Sequence, residues 1–136
     1  MKSPSTTPAL ARTLGELKSS GWVDRPIREE LRENLEARLA SGQPLMSAVL
    51  GYEDTVLPQM ETALLAGHDM ILLGERGQAK TRMIRSLVEL LDEWMPAIAG
   101  SDVRDNPFSP ISAFGIATVK DTVSYTHLTL PTKRIV

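Results

Sequence analysis

"MILLGERGQAKT", Met70 to Thr81, decides how the chain reads. Met70 to Leu73 is a continuous apolar run of strand length closed at once by Gly74. A run without polar alternation predicts a strand buried on both faces. Beyond the glycine-containing loop, Ile84, Leu87, Val88 and Leu91 recur at helical spacing and predict an amphipathic helix that ends before Pro96. The order is strand, loop, helix.

Upstream of this unit the pattern is helical. Val56, Met60, Ala63 and Leu64 mark the inward side of a helix from about Thr55 to Ala66, with Gly67 as its stop. Pro58 fits if it lies in the first turn, where its missing N–H has no partner to lose. An earlier helix is expected to start at Asp24, a cap with Pro26 behind it, and to carry Ile27, Leu31, Leu35 and Leu39 on one stripe until Gly42. Its other faces hold Glu29, Glu30, Arg32, Glu33, Glu36 and Arg38, read as a solvated surface. "LARTLGELKSSGW" predicts a further short helix, and "MKSPSTTP" a flexible arm with almost nothing apolar to bury.

Composition narrows the classes of function. The chain has 136 residues, 42% hydrophobic and 24% charged, as expected for a soluble domain or a piece of one. A formal net charge of -2 gives no reason to expect nucleic acid as a partner. The absence of cysteine excludes disulfides, thiol catalysis and cysteine-based zinc sites. No apolar run approaches a membrane span and the start does not read as a signal peptide, so a cytoplasmic location is expected.

The loop itself has the spacing G-x-x-x-x-G-K-[ST], with Ala79 at the second glycine. In such a loop, main-chain N–H groups converge on phosphate oxygens at the head of a helix. Here Gly74 leaves the strand, and Gly77, Gln78, Ala79, Lys80 and Thr81 would present their amides. Lys80 would set its ammonium between the β and γ phosphates of ATP, and the Thr81 hydroxyl would be a ligand of Mg²⁺, a hard cation that prefers oxygen. Ala79 poses a specific question. At a helical φ its methyl costs nothing, whereas a positive φ would be opposed by it.

With these residues in view, "LGYEDTVLPQMETALLAGHDMILLGERGQAKTRMIRSLVELLDEW" resembles the start of the AAA+ module of magnesium chelatase and MoxR-like ATPases, a likeness running from about Leu14 to Ala117. Relatives in that group often carry Ala before the loop Lys. The resemblance implies an α/β fold, a P-loop AAA+ module whose parallel sheet is incomplete here, preceded by N-terminal helices. It implies a helical segment over 13–45 after an arm over 1–12, and the start of the ATPase module over 46–122. It places Gly51 and Tyr52 near the adenine. It also implies ATP hydrolysis coupled to remodelling of a protein partner by a homo-oligomeric ring, with neither membrane nor direct nucleic-acid contact. The alternative is a nucleotide-binding regulatory or interaction module without hydrolysis.

Hydrolysis in such proteins needs a second acidic motif, sensor residues and an arginine from a neighbouring subunit. Nothing after Trp94 matches these, so this chain is expected to bind ATP weakly at best and not to hydrolyse it. Asp102 and Asp105 read as solvated loop residues. "VSYTHLTLPTKRIV", Val123 to Val136, is unlike the family, and Val123 to His127 back-translates as the transposon end used in preparing sequencing libraries. It is read as a non-native tail, with a real final strand as the alternative. His68 is expected to lie at the entry to the strand rather than on a metal.

Overall fold

The computed structural model describes residues 11–47, 49–121 and 132–133. The arm and tail anticipated from the sequence therefore fall almost wholly outside the described residues. The chain divides into two compact units, Arg25–Leu91 on the one hand and Met1–Asp24 with Asp92–Val136 on the other.

In the unit Arg25–Leu91, α2 (Ile27–Ala40) and α3 (Val56–Ala66) pack together and carry the core. Leu35, Leu45, Met46, Val49, Leu57, Met60, Leu64, Met83 and Leu90 are its buried members. α3 stops as its sequence predicts. Gly67 takes φ 69°, and its N–H and that of His68 close onto Leu64 and Ala63 carbonyls at 3.1 and 2.9 Å. α4 (Lys80–Ser86) runs straight into a 3₁₀ turn, Leu87–Leu90. The end of that turn is tied to α2: Asn34 Nδ2 donates to the Leu90 carbonyl at 2.7 Å, and Arg38 Nη2 to the Glu89 carbonyl at 3.2 Å. Arg38 also reaches the Leu45 carbonyl at 3.0 Å and the Glu89 carboxylate at 3.6 Å. It is thus a bracket for three segments rather than a member of a solvated face.

The α2 stripe is buried only at its middle. Leu35 is fully covered and Leu31 partly, whereas Ile27 is 60% exposed. Glu30, expected in solvent, is buried. α2 has no side-chain cap; Asp24, the expected one, instead accepts from Asn106 Nδ2 at 3.0 Å within the other unit.

The α/β expectation is corrected here. The described residues are mostly helical, and the one strand pair among them is an antiparallel contact of two residues each, β1 (Trp94–Met95) with β2 (Thr132–Lys133). No parallel sheet forms among the described residues. Met70 to Leu73 is not a strand, because its main chain makes no hydrogen bond among the described residues. Nor is it covered on both faces. Met70 and Leu72 lie against the core and line an open apolar groove of about 440 Å³ together with Leu31, Met60, Leu64 and Leu87, while Ile71 and Leu73 are 84% and 88% exposed. Apolarity alone brings such a segment to a core; a ladder requires neighbours on its edges.

In the other unit, α1 (Leu14–Ser19) is capped by Thr13, whose hydroxyl accepts from Glu16 N–H at 3.2 Å while the Glu16 carboxylate reaches back to Arg12 N–H at 2.7 Å. Leu17, Ala11, Trp22 and Phe108 form a small apolar cluster. α5 (Ala113–Asp121) follows Ser112, whose hydroxyl accepts from Gly115 N–H at 2.9 Å.

This distribution of burial makes a sharp mutational contrast. Leu35→Ala, in the core, should lower unfolding free energy by about 2–5 kcal/mol. Ile71→Thr with Leu73→Thr should change it by less than about 1 kcal/mol in denaturant titration. A loss at Ile71 and Leu73 equal to that at Leu35 would mean the segment is buried in solution.

Candidate functional site

The loop from Gly74 to Thr81 links the segment Met70 to Leu73 to α4, and its turns depend on residues at positive φ. Gly74 lies at 153° and Gly77 at 83°, where glycine meets no steric objection. Ala79, at the helix entry, takes φ 57° and ψ 15°. The methyl therefore does not sit in the harmless helical setting, and the left-handed conformation costs an L-residue roughly 1–2 kcal/mol. The chain accepts that cost at the place of the motif's second glycine.

Lys80 opens α4, and its side chain turns back over the loop. Nζ donates to the Gly74 carbonyl at 2.6 Å and to the Glu75 carbonyl. The main-chain N–H groups of Glu75 to Arg82 donate to no protein group among the described residues. The same is true back to Met70, so free donors are not peculiar to the loop. The Thr81 side chain is exposed.

Of Gly51 and Tyr52, far from the loop in sequence, only Tyr52 is brought to it by a contact. Tyr52 packs its ring on the core and its hydroxyl donates to the Gln78 carbonyl at 3.3 Å, a long bond that ties the loop to the packed body. Gly51 touches the loop through no hydrogen bond; its N–H donates to Glu53 Oε1 at 3.1 Å. That carboxylate sits below its ordinary range because of its own main-chain N–H first, then Gly51's and, more weakly, Tyr52's, against a small opposing effect of burial. Glu53 thus holds the turn from which Tyr52 projects, a role the sequence reading missed. His68 is exposed, beyond the Gly67 stop and beside the groove. Among the described residues, no three His, Asp or Glu gather as metal ligands.

A second polar centre was not foreseen. Asp102 is exposed as expected, but Asp105 is only 2% exposed. Its carboxylate accepts from Ser112 Oγ, from Ser112 N–H at 3.0 Å, from Ser101 Oγ at 2.7 Å and from Ile111 N–H at 2.8 Å. Its main-chain carbonyl accepts from Ile98 N–H at 2.9 Å. Gly115 makes room for it, since a β-carbon there would overlap Asp105 Oδ2 and lie 2.6 Å from its Cγ. The Ser112 hydroxyl and N–H, outweighing burial and joined by Ser101 and Ile111, hold the carboxyl far below the usual carboxylate range. This is a structural hub for the segment leading into α5.

Comparison with protein-family models, curated proteins and solved structures returned no match.

Two measurements follow from the geometry. Ala79→Gly relieves the left-handed strain against a gain of chain entropy in the unfolded state, so it should stabilise by roughly 0.5–1 kcal/mol, read from the denaturation midpoint; destabilisation would show that Ala79 is not left-handed. The Asp105 carboxyl is depressed in the folded chain, so the stability it gives is fully present above its unfolded value of about 3.9 and drains away as pH falls toward the folded one. Asp105→Asn should therefore lower stability at neutral pH and flatten its decline below about pH 4; an unchanged acid slope would remove Asp105 as the source.

Proposed function

We propose that Gly74 to Thr81 binds the polyphosphate of MgATP, and that the chain is the ATP-binding part of an ATPase similar to the magnesium chelatase and MoxR-like group. The observation that carries this reading is the course of the Lys80 side chain. Its ammonium turns inward across the loop and rests on the Gly74 and Glu75 carbonyls instead of extending into solvent. A cation held there by neutral acceptors is placed to exchange them for phosphate oxygens, since the ammonium gains the attraction of opposite charges when an anion replaces a neutral carbonyl. The loop's positive-φ turns support the same reading. On this proposal Thr81 offers its hydroxyl to Mg²⁺, the remaining ligands being phosphate and water. Tyr52 acts by holding Gln78, and Gly51 by shaping the turn before it.

Coupling of hydrolysis to remodelling of a protein partner, by a homo-oligomer, belongs to this proposal through the resemblance alone. One observation favours binding without hydrolysis by the residues present. Asp105, the buried acid in the segment beyond the loop helix, has its carboxylate committed to Ser101, Ile111 and Ser112. It is not poised to hold a cation or orient water.

The test is titration of MgATP into the chain and into Lys80→Ala. Loss of the charge-assisted contacts should weaken binding by at least about 30-fold, equivalent to ~2 kcal/mol, and Thr81→Ala should reduce the dependence of binding on Mg²⁺. Equal affinity in Lys80→Ala would end the loop assignment.

A further inference from the structure

The hollow beside Gly74 is occupied by the loop's own side chains. A β-carbon placed on Gly74 would overlap Gln78 Oε1, and would lie 3.4 Å from Gln78 Cδ and 3.6 Å from Lys80 Nζ. The Gln78 carboxamide and the Lys80 ammonium therefore converge on one point, on the open side of the glycine that begins the loop. The Gln78 backbone is held there as well, through its carbonyl and the Tyr52 hydroxyl at 3.3 Å. Lys80 is meanwhile engaged by two carbonyls of the loop. Two neutral carbonyls thus hold the cation that the proposed ligand would need, and the Gln78 carboxamide lies on the same side of Gly74.

From this we infer that Gln78 is an autoinhibitory plug: its carboxamide fills the place beside Gly74 and Lys80 that a phosphate group takes, and binding requires it to swing out. The inference rests on the nucleotide-binding reading above and adds the regulation of that site. Gln78 is exposed and packs on no core residue, so its side chain can leave without disturbing the fold. The carboxamide is neutral while the neighbouring ammonium attracts anions, so the plug gives way to a triphosphate more readily than to a neutral solute. A ligand that must first wait for a minor open state has its affinity reduced by the fraction of molecules that are open. The plug therefore sets a threshold concentration of nucleotide without touching the chemistry of the ligand.

The experiment is MgATP titration of the whole chain, carried out on wild type, Gln78→Ala, Gln78→Asn, Lys80→Ala and the double variant Gln78→Ala/Lys80→Ala. Gln78→Asn keeps the amide but is one methylene too short to lie over Gly74, and circular dichroism confirms that each variant keeps its helices. Both Gln78 variants should bind about three- to tenfold more tightly than wild type, as removal of a mostly populated closed state requires, while both chains carrying Lys80→Ala lose binding. Equal or weaker affinity in the two Gln78 variants, with Lys80 still essential, would overturn the plug and leave the loop reading intact. Binding indifferent to Lys80→Ala, or absent in every variant, would overturn both.

Discussion

A main chain outside helix and sheet must still find partners for its N–H and C=O groups, and the segment Met70 to Leu73 has none within the protein among the described residues. Everything about the unit Arg25–Leu91 follows from how that is tolerated. The segment's two ends are fixed independently: one by the left-handed stop at Gly67, the other by α4, whose 3₁₀ extension is tied to Asn34 and Arg38. Between these anchors Met70 and Leu72 are laid against the core. Leaving Ile71 and Leu73 wet forgoes about 1.5–3 kcal/mol each of apolar burial. The wet main chain itself costs little, because water pairs it; the same groups buried without partners would be far more costly. The segment keeps its place because its apolar side chains pack on the helices, not because it is a strand.

The loop inherits this arrangement. α4 begins where the bracketing side chains of α2 place it, so the turn from Gly74 must close within a fixed span and does so through residues at positive φ. Two of these are glycines. At Ala79 the closure is obtained against a methyl, and the inward course of Lys80, with its two carbonyl contacts, helps to hold it. Strain confined to one residue of a loop, next to a cation folded inward, is the kind of outlier from which a functional hypothesis starts. It identifies Ala79 and Lys80 as one mechanical unit, in which the backbone turn and the placement of the ammonium are set together.

How far the sequence revealed this differs from element to element. α3 was legible from its inward residues, from Pro58 and from Gly67, because its start and stop are local chemistry. α2 was legible as a helix but not in its surroundings: Asp24 is taken by Asn106, and Arg38 by carbonyls of distant segments, contacts that no periodicity encodes. In α4 the buried residues are Met83 and Ser86, and in the 3₁₀ turn Leu90, whereas Ile84, placed inward by its spacing, is 56% exposed. The 3₁₀ turn after Ser86 advances the chain by more rotation per residue than an α-helix, so a face counted at helical period drifts off the core. The apolar run gave the segment's attraction to the core and could not supply its neighbours. The doubt over Ala79 was visible, since only two backbone settings were open to it. Asp105 was hidden in a loop-like composition, and its burial depends on Ser101, Ile111, Ser112 and Gly115 together.

The engagement of Lys80 by loop carbonyls is compatible with a resting state that still admits an anion. An ammonium carries three donors, and the Gly74 and Glu75 carbonyls occupy two of them. An approaching phosphate oxygen can take the third before either carbonyl is released, so the first new bond forms without the loss of an old one. Exchange then proceeds one bond at a time, each neutral acceptor giving way to a charged one. The freed carbonyls are not stranded, because the loop is exposed and water reaches them. What remains to be moved is the Gln78 carboxamide, and the barrier to opening is therefore set by one flexible side chain and the Tyr52 hydroxyl that steadies its backbone, not by the ion itself.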